Sequence, residues 1–148
     1  QQPLAQLVGL DIDPAILRIA RRKLARAGVA AVLVEGSADR MPLDGPFDVV
    51  VSTLMFHHLT EEPQRAMLRE VFRLLRPGGR LYLYDFARPR SRWGDVLGSI
   101  YRRFEPLIAN GLNGRYPELL RAAGFTDVAV AFHQTLFCLL VAAKPALV

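Results

Sequence analysis

The chain has 148 residues, 51% of them apolar and 22% charged, enough for one folded domain with a full core and unlike a disordered chain. No apolar run approaches the roughly 18 residues of a membrane span, and the single cysteine, Cys138, excludes an internal disulfide framework or a cysteine metal cluster. The net charge of +5 is carried by arginines spread along helix faces, which disfavours a nucleic-acid partner.

In chain order, residues 7–10 read as a strand, and Asp13-Pro14 as an N-cap followed by proline at the first helical position. Ile16, Ile19, Ala20, Lys23, Leu24 and Ala27 then recur at helical spacing, and Gly28 stops the helix. Residues 31–35 form a second strand and residues 36–46 a loop. Residues 47–53 (FDVVVST) have the pattern of a central parallel strand buried on both faces, and are expected at the centre of the core. Thr60, Glu61 and Glu62 open a helix with a cap and negative charge, and Met67, Leu68, Val71, Leu74 and Leu75 form its apolar stripe. Arg76-Pro77-Gly78-Gly79 ends it, and residues 80–86 form the next strand. Residues 93–107 read as a helix, with turn signals at Asn110-Gly111 and Asn113-Gly114. A short helix over 116–123 precedes two strands, 125–132 and 136–144, close enough to form an antiparallel hairpin. Alternation of strands and helices implies an α/β fold with a mostly parallel sheet.

Asp11 stands at the carboxyl end of the first of these strands, where open α/β sheets bind ligands and where an acid holds the ribose hydroxyls of a nucleoside cofactor. Such an acid ordinarily follows a first strand and a glycine-rich loop by about 20 residues. Only ten residues precede Asp11 and no GxGxG follows a strand anywhere in the chain. The chain is therefore expected to be incomplete at its N-terminus, lacking the first strand and the glycine-rich loop. It also opens without an initiator methionine or a secretion signal, and is expected to be cytoplasmic and soluble. Losing about five buried apolar residues at roughly 1.5–3 kcal/mol each predicts instability, dependence on a partner, or direct pairing of strand 7–10 with strand 47–53. Weak or undetectable cofactor binding by the chain as it stands is expected for the same reason.

Four segments, VGLDIDPAILRIARRKL, EGSADRMPLDGPFDVVVSTLMFHHL, LREVFRLLRPGGRLYLYDFARP and LLRAAGFTDVAVAFHQTLFCLLVAAKP, occur in an order that resembles the class I S-adenosylmethionine-dependent methyltransferases. The likeness is greatest to the small-molecule branch that includes the ubiquinone and menaquinone biosynthesis methyltransferases. The resemblance implies a Rossmann-like sheet of seven strands in the order 3-2-1-4-5-7-6, with the last antiparallel. It implies S-adenosylmethionine as cofactor and a small-molecule methyl acceptor. One domain over residues 1–148 follows, with residues 87–116 an acceptor-side insertion.

By the same resemblance, Asp11 binds the cofactor ribose and Ile12 packs beside the adenine. The family's Gly-Asp-Ala is here Gly36-Ser37-Ala38, with Asp39 one place later. Ser37 can still bond the adenine amino group, though a neutral hydroxyl is a weaker partner than a carboxylate, and the Ala38 amide is unaffected. Ser52, Thr53 and Leu54 line the methionine part of the cofactor. His57 is a candidate general base. Its other reading, with His58, is a structural histidine at a helix start; adjacent residues chelate poorly, no acid is spaced to complete a site, and no metal is expected. The acceptor pocket is expected between Phe56 and the region 88–116. Arg88, Arg90, Arg92, Arg102 and Arg103 offer the place for peripheral contact with an anionic surface. A non-catalytic accessory module with the same fold is the alternative, supported by Ser37. A nicotinamide-dependent oxidoreductase is a further one, disfavoured by the LRPGG turn and the closing hairpin.

Overall fold

A computed structural model describes residues 5–146. They form two compact units, one up to Leu43 and one from Asp44 onward. The first holds β1 (Val8–Asp11), α1 (Pro14–Ala27) and β2 (Val32–Glu35). The two strands pair in parallel, Val8 with Val32 through Asp11 with Glu35. Local chemistry sets both ends of α1. The Asp13 carboxylate accepts from the Ala15 amide at 2.7 Å, Pro14 opens the first turn, and Gly28 closes the helix in the left-handed region (φ 65°). Of residues 1–6, which are not expected to supply the missing strand, 1–4 lie outside the described residues.

The second unit is a four-stranded sheet in the order β3-β4-β6-β5, with β3 (Phe47–Thr53) parallel to β4 (Leu75–Phe86) and the hairpin β5 (Thr126–Gln134) and β6 (Phe137–Ala143) closing it antiparallel. Five helices occur among the described residues, the remaining four being α2 (Glu61–Leu74), α3 (Arg92–Phe104), α4 (Ala109–Leu112) and α5 (Tyr116–Ala122). Period-2 alternation sorts the sheet into two faces. Leu81, Leu83 and Asp85 of β4 lie in register with Ala142, Leu140 and Cys138 of β6, and all six are buried. The apolar stripe of α2 (Met67, Leu68, Val71, Leu74) and the α5 residues Leu119 and Leu120 are buried too. The opposite face carries Tyr82 and Tyr84, half-buried, and Val49 and Val51, 50% and 67% exposed.

Three expectations need correction. Among the described residues β3 is not the buried centre of a sheet: it lies at the edge of the four-stranded sheet, paired only with β4, because apolar, β-branched composition specifies a strand and not its neighbours. Of the three alternatives for a missing strand, direct pairing with β1 is not the one seen among these residues, where β1 belongs to the two-stranded sheet. And α2 has no glycine stop. It runs directly into β4 at Leu75, which is already extended and bridged to Phe47, while Gly78 (φ 77°) donates its amide to the Lys144 carbonyl at 2.9 Å. Thr60 takes the N-cap backbone conformation of α2 without a side-chain cap bond.

Candidate functional site

In the first unit, β1 and β2 end side by side, with the Gly36 amide donating to the Asp11 carbonyl at 3.0 Å. This brings Asp11 and Ile12 together with the turn holding Ser37 and Ala38. One Asp11 carboxylate oxygen accepts from the Asp13 amide at 2.9 Å, and no other donor engages the carboxylate among the described residues. Ile12 is 68% exposed, an apolar side chain held out from the strand end. Ser37 pairs across the turn with Arg40, and its hydroxyl donates to the Asp39 carboxylate. The acid displaced by one place therefore engages the serine that replaced it.

In the second unit, the carboxyl ends of the parallel strands β3 and β4 carry the polar groups. Ser52 shares the covered face with Leu83 and is buried, its hydroxyl without a partner among the described residues. Thr53, on the other face, is exposed. Leu54 then adopts a left-handed backbone (φ 50°) while its amide donates to the Tyr84 carbonyl at 2.9 Å. A leucine there costs roughly 1–2 kcal/mol, a strain of the kind that collects at functional turns. The chain next enters a 3-10 turn, Phe56–His58.

His57 is buried, and its Nδ1 lies 2.7 Å from Oδ1 of Asp85, itself 1% exposed at the end of β4. Asp85 also accepts from the Phe86 amide at 2.7 Å and from the His57 amide at 3.3 Å. An acceptor-only carboxylate with this set of donors assigns the Nδ1–H tautomer, which leaves Nε2 of His57 as a proton acceptor. Phe86 meets the imidazole edge-on at 4.8 Å. The turn is pinned from α2: the fully buried Gln64 amide donates to the Phe56 carbonyl at 3.1 Å and accepts from Asn110 at 2.9 Å.

Beyond the end of β4 lies a cavity of about 350 Å³, lined by Phe86, Arg88, Arg90, Tyr116, His133 and Cys138 among others. His133 Nε2 donates to the Arg88 carbonyl at 3.0 Å, fixing the hairpin against the strand exit. Tyr116 is 2% exposed and its hydroxyl has no partner among the described residues. Burial, with the Asp85 and Cys138 charges nearby, raises its pKa well above the ordinary phenolic range. Burial likewise pushes the Cys138 thiol up to about 11, with Asp85 adding to the shift and Arg90 opposing it.

Of the predicted residues, Asp11, Ile12, Ser37 and Ala38 share one strand-end cluster, while Ser52, Thr53 and His57 sit around the β3 exit in the other unit. Phe56, expected to line a pocket, is fully buried and packs edge-on against Tyr116 at 5.0 Å, so it supports the turn. Sequence reading weighs His57 for metal binding and as a base without pairing it with Asp85, 28 residues on. A signal for it exists: alternation from Leu81 and Leu83 places Asp85 on the buried face, where an acid needs a partner. Gln64 and Tyr116 carried no such signal.

A family model described as a methyltransferase domain matches residues 1–79. The demethylmenaquinone methyltransferase of Thermus thermophilus is 33% identical over 116 residues, 77% of this chain and 52% of that protein. The ubiquinone/menaquinone biosynthesis C-methyltransferase of Pasteurella multocida is 33% identical over 67% of this chain and 36% of its own length. The chain thus spans about half, or less, of the length of these curated relatives. Among solved structures, an O-methyltransferase family protein from Burkholderia thailandensis aligns with a TM-score of 0.78 at 18% identity, over 97% of this chain and 45% of that one. An S-adenosylmethionine-dependent methyltransferase in its apo form aligns at 0.73 and 20% identity, over 97% of this chain and 44% of that one. At these identities the structural likeness concerns the fold, and the order β3-β4-β6-β5 with its antiparallel closing hairpin agrees with the second half of the sheet that the sequence resemblance implied.

Proposed function

Because the chain belongs to the class I S-adenosylmethionine-dependent methyltransferases, we propose that the protein carrying it is a cytoplasmic enzyme that moves a methyl group from S-adenosylmethionine to a small ring compound of the quinone type. The observation that carries this reading is the end of β1, where Asp11 keeps one carboxylate oxygen without a donor among the described residues, beside the exposed Ile12. That arrangement fits a nucleoside: the carboxylate accepts from ribose hydroxyls, Ile12 covers one adenine face, and Ser37 and the Ala38 amide meet the adenine edge. When bound, the cofactor supplies an activated methyl group, so the protein's task is chiefly to position the acceptor.

In the second unit, the cavity beyond β4 takes the acceptor, with residues 87–116 contributing its outer wall. Its apolar lining suits a ring, Tyr116 offers a buried hydroxyl, and Arg88 and Arg90 suit an oxygen anion at the rim. His57, which stands behind Phe86 and outside the cavity lining, is the candidate general base through Nε2, with Asp85 as the positioning residue that holds its tautomer.

The test is binding of S-adenosylhomocysteine by equilibrium dialysis together with transfer of labelled methyl to a hydroquinone. Asp11→Asn removes charge-assisted bonds of about 1.5–3 kcal/mol, so affinity should fall roughly 10- to 100-fold. His57→Ala should lower turnover about 10²- to 10⁴-fold with cofactor affinity unchanged. Equal binding by the Asp11→Asn variant overturns the ribose assignment. Binding without transfer to any hydroquinone would favour the non-catalytic accessory module, to which the Ser37–Asp39 contact lends support.

A further inference from the structure

Helix α3 is amphipathic, but it is turned the opposite way from an ordinary surface helix. Gly94 and Gly98 are buried, Gly98 beside Leu112 and Leu136, so the helix meets its own unit through a side-chain-free strip. Trp93, Val96, Leu97, Ile100 and Phe104, spaced i, i+3, i+4, i+7 and i+11, form one stripe and are 84%, 53%, 41%, 51% and 80% exposed. Such a stripe on a soluble surface is a contact surface waiting for an apolar phase.

Two features identify that phase. Aromatic side chains stand at both ends of the stripe, Trp93 in the first turn and Phe104 at the last residue, as in helices that lie at the headgroup boundary. Arg92 and Arg103 fall along one flank of the stripe at 100° per residue, and Arg88 and Arg90 are exposed in the segment that leads into the helix, whereas Arg102 lies on the opposite side and donates to Asn113. Against them the segment 88–105 has only Asp95 and Glu105. A protein partner with an apolar groove would not need this excess of positive charge.

We propose that α3 lies flat on an anionic phospholipid bilayer, with Trp93, Ile100 and Phe104 among the acyl chains' upper segments and the flanking arginines on lipid phosphates. Each arginine near a charged membrane surface adds attraction that salt screens. This inference does not depend on the methyl-transfer reading, but it suits it: a bilayer is where an apolar ring acceptor would dissolve, and the segment after β4 carries both the cavity wall and the helix.

Trp93 is the only tryptophan, so its emission reports directly on the stripe. The full chain is mixed with vesicles of phosphatidylcholine alone or with roughly one third phosphatidylglycerol, an anionic content typical of such assays. A blue shift and quenching by lipids brominated on the acyl chain are expected with the anionic vesicles, reversed by high salt. Ile100→Ser with Phe104→Ser should reduce partitioning about tenfold or more at unchanged circular dichroism, as should Arg92→Gln with Arg103→Gln. No emission change with anionic vesicles overturns the proposal. So does emission already typical of a buried indole before lipid is added, which would mean that protein covers the stripe, or a concentration-dependent dimer that shields Trp93 without vesicles.

Discussion

The Tyr116 hydroxyl is buried with no partner among the described residues, at a cost of about 1–3 kcal/mol relative to a satisfied group. Tyr116→Phe removes that cost while keeping the ring that packs on Phe56. The variant should therefore gain about 1 kcal/mol in denaturant unfolding and, if the cavity takes the acceptor, show a raised acceptor KM. Cys138 supplies a second residue-scale test. Its thiol ionises near 9 when unfolded and near 11 when folded, so in that window the native state binds the extra proton. Its contribution is fully present below pH 9 and is lost as pH rises to about 11, about 2 kcal/mol in all. Stability measured across this range should fall, and Cys138→Ala should flatten that part of the decline, leaving the part due to Tyr116 at higher pH. Residues of this kind were poorly legible in the sequence. Cys138 could be placed in a buried strand, but the Asp85 carboxylate that meets His57, and the hydroxyl of Tyr116, depend on contacts between distant segments.

Elements whose limits rest on local chemistry were the most legible. Asp13, Pro14 and Gly28 delimit α1 from within the segment itself, and the hairpin β5-β6 follows from two apolar runs a few residues apart. The end of α2 was not legible, because its stop is supplied from 69 residues away: the Lys144 ammonium donates to the Phe72 and Leu75 carbonyls at 2.8 Å and sits over the Phe72 ring. Lys144→Met should cost about 1–2 kcal/mol, read from the denaturation midpoint. Helix α3 misleads for another reason. A periodic apolar stripe ordinarily marks the inward face, whereas here two glycines do so. At the His57 turn, Gln64→Leu strands the buried Phe56 carbonyl and removes the partner of the part-buried Asn110 amide, and should cost about 1–3 kcal/mol, with turnover falling through misplacement of His57.

Across the whole molecule, stability is uneven. The first unit has one buried apolar residue among those described, Leu17, and a two-stranded sheet, which is marginal by itself in water. The second contains the rest of the buried apolar set, including the cluster of Phe86, Ile108, Leu112 and Leu136. Amide hydrogen exchange should therefore be faster in Val8–Asp11 and Val32–Glu35 than in β4 and β6, and equal protection would contradict this division. The family resemblance read in the sequence foresaw which strands exist and the hairpin that ends the sheet. It could not foresee which of them lie beside open water, since that depends on the company each strand keeps.

The edge position of β3 bears on how the protein behaves in the test tube. Among the described residues, Val49 and Val51 project from a strand whose outer amides and carbonyls have no strand partner, so this chain by itself presents a template on which another copy can dock. Refolding is then a race between a first-order and a higher-order process, and recovery should drop as protein concentration rises. A single charge in the middle of that strand, as in Val51→Lys, should shift the race toward the monomer and leave the unfolding midpoint within about 0.5 kcal/mol of its starting value.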